Sequence, residues 1–138
     1  MIQSVTLPTA MSDVMMRLGD FKFMILTASY QELQRRTEWR WPSQQRFGLG
    51  PSSQFVGNGE DVITLMGTVF PEWRGGSMQV QRLRDMGNMG EAYLLIGGLG
   101  QIFGTWLIEK VEEKQSLFAA FGTPRKQEFV LTLRYQYP

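Results

Sequence analysis

The sequence has no cysteine and no histidine among its 138 residues. Without a thiolate or an imidazole there can be no disulfide, no Cys/His zinc site, no thiol nucleophile and no Ser-His-Asp triad. An excess of charge is lacking too: the net is +1, so no global field draws the chain towards nucleic acid or an anionic membrane. Long uncharged runs are nearly absent. Ala92–Ile108 alone approaches the ~17 residues of a short transmembrane helix, but it holds Gly97, Gly98, Gly100 and Gly104. Each would cost a helix interior about 1 kcal/mol, so strand, glycine turn and strand are expected instead. Residues 1–12 show no cationic start before an apolar core, and no secretory signal is expected there.

What the sequence does hold is alternation. Leu33, Arg35, Thr37, Trp39 and Trp41 share one parity and Gln34, Arg36, Glu38 and Arg40 the other, the period of a half-buried strand. Pro42 removes a backbone donor and closes that strand, and Gly48–Ser53 reads as a loop. Upstream, Asp13–Leu26 reads as a strand bent at Gly19-Asp20, joined to the tryptophan strand by Ala28–Leu33. Downstream, Ser53–Val56 is extended, Gly57-Asn58-Gly59 is a turn, and Asp61–Phe70 is a strand ended by Pro71. One helix is expected after Gly75-Gly76, capped by Ser77, with Met78, Val80, Leu83, Met86 and Met89 approximating an apolar face. Tyr93–Ile96 and Ile102–Glu112 then flank the glycine turn, and Phe121-Gly122-Thr123-Pro124 starts the next reversal. From Gln127 to Tyr137 the alternation returns, with Phe129, Leu131, Leu133, Tyr135 and Tyr137 on one side, a strand with one face on a core. The expected class is α+β: a mostly antiparallel β-sandwich or barrel with one helix packed against it.

Candidate chemistry is sparse. Gly98-Leu99-Gly100-Gln101-Ile102-Phe103-Gly104 has no following Lys-Ser/Thr, misses the dinucleotide spacing and opens onto a strand, so it reads as a turn, not a phosphate loop. Arg35, Arg36, Arg40 and Arg46 interleave with Trp39 and Trp41 as a stacking groove for single-stranded nucleic acid would. Parity favours the plainer reading, in which both tryptophans face the core and the arginines line the other face or pair with Glu38. Carboxylates stand at Glu60, Asp61, Glu72, Asp85, Glu91 and within Glu109–Glu113. A glycosidase would need two of them across a cleft, and few other general bases remain, so no enzyme activity, cofactor or metal is expected.

Several motifs in order carry a resemblance. Tyr30-Gln31-Glu32-Leu33-Gln34-Arg35, Trp39-Arg40-Trp41-Pro42, Gly57-x-Gly59-Glu60-Asp61, Ile63-Thr64-Leu65-x-Gly67 and Phe70-Pro71-Glu72 form its centre. Met15-Met16-x-Leu18-Gly19-x-Phe21-x-Phe23 precedes them, and Gly75-Gly76 and Phe129-x-Leu131-Thr132-Leu133 follow. Together they resemble the GpU tail-protein family of contractile-tailed phages and R-type pyocins, over nearly the whole chain from about Val14. Residues 14–138 are therefore expected to form one tail-tube-like domain, with residues 1–13 an N-terminal extension outside the family pattern. The resemblance implies a non-enzymatic structural subunit that forms a hexameric ring where the tail tube meets the baseplate hub. Its implied partners are other copies of itself, the tail tube protein and the baseplate hub protein, with sheath, tape measure and a LysM-type baseplate protein as further candidates. Neither a membrane anchor nor direct nucleic-acid binding is expected. The implied location is the tail of a virion or pyocin particle, assembled in the cytoplasm of the host bacterium. A tail-terminator ring at the far end of the tube is the alternative, and a small β-sheet module binding nucleic acid or sugar through the Trp39/Trp41 strand is the alternative of another class.

Contact residues follow from charge and from the extra N-terminus. Arg35, Arg36, Arg40, Glu109, Glu112 and Glu113 are too regularly placed to be core, and no substrate chemistry claims them, so subunit or partner contacts are expected there. Ile2, Val5 and Leu7 could place apolar contacts along an extended arm, and Pro8 excludes a regular central-strand ladder.

Overall fold

A computed structural model describes residues 14–25, 28–69, 78–116 and 126–138. Seven strands form one antiparallel sheet: β1 (Val14–Leu18), β2 (Phe21–Met24), β3 (Ser29–Arg40), β6 (Gly57–Val69), β7 (Ala92–Gly97), β8 (Ile102–Ser116) and β9 (Lys126–Tyr135). Their order across the sheet is β2-β1-β7-β8-β9-β6-β3. Two further strands, β4 (Ser43–Arg46) and β5 (Leu49–Ser53), pair only with each other. The one helix among the described residues, α1 (Gln79–Asn88), lies against β8. The sheet curls into a half-barrel.

One face of the sheet holds the core because odd-numbered residues of β6 and β9 alternate inward. Asp61, Ile63, Leu65 and Val69 on β6 are buried, as are Gln127, Phe129, Leu131 and Leu133 on β9. Leu18, Phe21, Phe23, Leu95 and Trp106 complete it from the other half of the strand order, with Val80 and Leu83 of α1 packed into the same core. Curling is visible in one contact. Arg35 on β3 and Trp106 on β8 are three strands apart, roughly 14 Å in a flat sheet, yet the guanidinium carbon sits 5.3 Å from the indole centroid. The core face is therefore the concave one.

Two glycines are fixed by space. Gly67 lies where a Cβ would run into the Ser29 carbonyl oxygen and stand 2.6 Å from Cζ of Phe129, so β3, β6 and β9 approach one another closely only because no side chain intervenes. Gly19 turns the chain with φ +57°, and a Cβ there would meet the Tyr93 ring at 2.9 Å.

Five local expectations differ from the structure. Asp13–Leu26 is not one bent strand: within its described residues Gly19-Asp20 makes a full reversal between β1 and β2. Ser29 already opens β3, and the Gly57 turn is the start of β6. Gly48–Ser53 is the return strand of a hairpin whose turn uses Gly48 at φ +72°. On α1 the residue before the helix is Met78, which makes no side-chain cap, and Met78 and Met89 are exposed, while Val80, Leu83 and Met86 carry the packing. Phe70, Pro71, Glu72, Gly75, Gly76, Ser77 and Phe121–Pro124 lie outside the described residues, as do residues 1–13 with Ile2, Val5 and Leu7.

Candidate assembly interface

The largest correction concerns the tryptophans. Trp39 and Trp41 are each 58% exposed and belong to no core. Alternation places them on a side, but β3 outruns the strands that fill that side: past Thr37 it faces Asn58 and Gly57 of β6, and the β6–β9 pairing behind them has already ended at Val62 and Arg134. The ladder then continues outward. Val56 donates to the Arg40 carbonyl at 3.0 Å, Gln54 to the Pro42 carbonyl at 3.2 Å, and β4 pairs with β5 to the turn at Phe47-Gly48. From Arg40 to Phe47 this makes an arm of roughly 20–25 Å at strand rise. Its stem carries Trp39, Trp41, Phe55 and Val56, and its end carries Phe47 and Leu49, all exposed. The Trp41 and Phe55 rings meet at 5.0 Å, one against the other. A hairpin with no face buried is at best marginally stable in water, and among the described residues nothing covers this one.

The charged residues divide into anchors and a surface ladder. Arg35 is an anchor: its Nε and Nη2 donate to both oxygens of Asp61 at 2.9 and 2.7 Å, and Thr37 donates to the same carboxylate at 3.1 Å. Those hydrogen bonds hold the Asp61 carboxyl below its ordinary range against the opposing effect of burial, and the same pair raises Arg35. Glu113 is the second anchor. It accepts from Gln127 at 2.7 Å and pairs with Arg84 of α1 at 2.7 Å, tying the helix to β8. Burial pushes its pKa up, and the hydrogen bonds from Gln115, Arg84 and Gln127 outweigh it, so the net direction is down.

On the convex face the charges alternate across four neighbouring strands. Glu109 on β8 accepts from Arg134 on β9, Arg134 donates to Glu60 on β6 at 2.8 Å, and Arg36 on β3 reaches Glu60 at 3.4 Å. Arg134 lowers the Glu60 pKa by hydrogen bond and charge, and its own is raised by Glu109 and Glu60. Exposed pairs of this kind contribute little to stability. They line a shallow depression of about 270 Å³. Glu112 is exposed on the same face, and Arg40 sits at the base of the arm.

Of the residues expected at contacts, then, Arg35 and Glu113 are engaged within the chain, Arg36 and Glu109 share the ladder, and Arg40 and Glu112 are exposed. Sequence reading passed over Arg134, which joins the ladder, and the arm residues Phe47, Leu49 and Phe55. A signal was present: Phe47 and Leu49 bracket Gly48 inside a polar, proline-bounded segment. The Gly98 turn connects β7 to β8, with no helix following it. Among the described residues no group of three or more acids could hold a metal ion, and no helix is long and apolar enough to cross a membrane.

The alternating strand β9 is not an edge: it lies inside the sheet, paired on one side with β8 and on the other with β6. Among the described residues the open edges are β2, four residues long, and β3, twelve residues long.

The family model described as Phage P2 GpU matches residues 19–136. A protein of Halomonas phage phiHAP-1 named "Probable tape measure protein" is 36% identical over 104 residues, covering 75% of this chain and 12% of that protein. The chain thus spans about an eighth of the curated relative it matches. Among solved structures, the SPP1 Dit (gp 19.1) protein, described as a paradigm of hub adsorption apparatus in phages infecting Gram-positive hosts, superposes with a TM-score of 0.65 at 11% identity, over 90% of this chain and half of that one. A chain of the tail of an empty GTA particle, solved with C6 symmetry, superposes with a TM-score of 0.53 at 13% identity, over 92% and 93% of the two chains. At those identities the two superpositions establish a shared fold.

Proposed function

The chain belongs to the Phage P2 GpU family, and from that premise we propose that it is a non-enzymatic structural subunit of a contractile tail, closing into a six-membered ring where the tube joins the baseplate hub. The observation that carries the reading is the family match over residues 19–136. The open β3 edge supports it physically. A twelve-residue strand whose outer edge has no partner among the described residues invites addition of another chain, and a rotationally closed ring satisfies every such edge without further growth. Six-fold order is supported by the C6 symmetry of the similarly folded tail. Residues 14–138 act as the tube-like domain and residues 1–13, with Ile2, Val5 and Leu7, as an arm across a neighbour.

Tube and hub proteins are the proposed axial partners. A tape measure protein joins them because a phage protein of that name contains a segment 36% identical to this chain; two parts of one polypeptide are held at high effective concentration, which suits neighbours in an assembly. Sheath and a LysM-type baseplate protein are further proposed partners, and assembly takes place in the host cytoplasm. Placement at the opposite end of the tube, as a terminator ring, is the second reading; the β3 edge and the arm serve either place.

Reversing Arg36 and Arg40 to Glu should impair ring formation, seen by light scattering and negative-stain microscopy alone and with tube or hub protein, while the melting curve stays close to wild type. Rim charges act on association more than on the fold, so the defect should be greatest at low salt. Normal assembly of the double variant at low salt would refute a contact there, and a strict monomer for wild type under every condition would end the ring reading itself.

A further inference from the structure

The outer edge of β3 carries a regular stretch with charges of both signs. Between the register shifts at Tyr30/Glu32 and Thr37/Trp39, the run Glu32–Thr37 pairs with β6 without interruption on one side, and on the other it has no partner among the described residues. Every residue from Gln31 to Arg36 is exposed. Glu32, Gln34 and Arg36 lie opposite Met66, Thr64 and Val62 and share the convex face, whereas Leu33 and Arg35 lie opposite the buried Leu65 and Ile63 and share the concave one. Leu33 is 41% exposed on its core-facing side because no strand of the sheet lies beyond it. Glu32 has no ion-pair partner among the described residues. Arg36, its side chain 66% exposed, makes the one 3.4 Å contact to Glu60, which leaves most of the five guanidinium donors free.

An antiparallel partner can lie along such an edge only in registers two residues apart, because the outward-pointing N–H and C=O groups alternate. For two copies of β3 related by a two-fold axis, the axis then falls beside one residue. Beside Arg35 or Arg36 it would set that arginine against its own copy, and like charges directly opposite are unfavourable. Beside Leu33 it would set Glu32 against Gln34 and pair only the start of the run. Beside Gln34 it sets Glu32 opposite Arg36 of the second copy, twice, on the convex face. On the concave face it sets Leu33 opposite Arg35, whose aliphatic stem can cover the exposed leucine. The residues so paired, 32–36, all fall inside the uninterrupted run. The edge is its own complement about Gln34, and that favours a second copy over any other strand. From this match we propose that, before it enters a ring, the chain pairs β3 to β3 with a second copy of itself about Gln34. Such a contact is isologous and closed, so it covers the edge without inviting further strands. It occupies the edge that the ring uses, so it stores the subunit and opens for assembly; this storage role rests on the ring reading above.

The absence of native cysteine makes the test direct. In this register the two Gln34 Cα atoms stand about 4.5–5.5 Å apart, within the span of a disulfide, whereas the two Gln31 positions are roughly 20 Å apart. Both residues are exposed. Purified Gln34→Cys, oxidised with copper phenanthroline, should therefore give a covalent dimer at least tenfold faster than Gln31→Cys. Glu32→Arg and Arg36→Glu should each raise the dimer dissociation constant in sedimentation at least tenfold with an unchanged melting curve, and the two exchanges together should restore it. Ring assembly with tube or hub protein should be blocked for the oxidised Gln34→Cys dimer and return on reduction. Equal oxidation of the two cysteine variants, or a double exchange that does not restore the dimer, would overturn the pairing and leave the ring reading standing. Oxidised dimers that enter rings without reduction would overturn the storage role. A selective Gln34→Cys dimer from a chain that forms no ring under any condition would support the pairing and end the ring reading.

Discussion

Trp106→Ala should lower the free energy of unfolding by about 3–5 kcal/mol, the range for truncating a large buried aromatic. The indole is fully buried, its Nε1 donates to the Phe103 carbonyl at 3.0 Å, and the Tyr135 ring meets it edge-on at 5.2 Å. Removing it leaves a cavity between β8 and β9 and withdraws the ring from under Arg35. Trp39→Ala and Trp41→Ala should each shift the midpoint by no more than a surface change does, about 0.5 kcal/mol. Urea titration of the three variants checks the contrast, because core placement of the β3 tryptophans requires the opposite order.

Arg35→Ala is expected to cost about 2–3 kcal/mol. Breaking a fully buried ion pair from one side costs about 3–5 kcal/mol, and the Arg35 side chain is 40% exposed, so water takes over part of its role. Asp61 is left buried with the Thr37 hydroxyl as its remaining donor. The same pair sets a pH dependence. The folded Asp61 pKa is lowered, so its contribution is fully present above the unfolded value of about 3.9 and is lost as pH falls through the lower folded value. The stability gap between wild type and Asp61→Asn should therefore be constant at neutral pH and shrink below about pH 4. Denaturant midpoints at both ends of that range test it, and a gap that does not change with pH would show that the pair is not what depresses the carboxyl.

How much of this was legible in the sequence depended on whether both sides of a strand are occupied. On β9, Phe129, Leu131 and Leu133 announced their face because the strand lies between β8 and β6 over the middle of the core. On β3 the same alternation misled. Parity states the side on which Trp39 and Trp41 stand, but the existence of a core on that side depends on how far the neighbouring strands extend, which is a property of register. Register also hid the anchor: Asp61 and Arg35 are 26 residues apart and meet only because Thr37 lies opposite Asp61. The Gly19 reversal was misread as a bend, since glycine beside aspartate serves a bulge or a tight turn equally well. The family, in contrast, was legible from ordered motifs, because Gly67, Gly59 and the Glu60-Asp61 pair are held by close approach and pairing and not by local propensity.

The measurement that tests the central claim most directly is electron microscopy of isolated tail particles assembled with a tagged copy of this chain. A structural ring subunit should place the tag in a single six-fold ring at one end of the tube, with the end distinguishing hub junction from terminator. Particles that assemble fully without the tagged chain, or a tag repeated along the whole tube, would contradict that account.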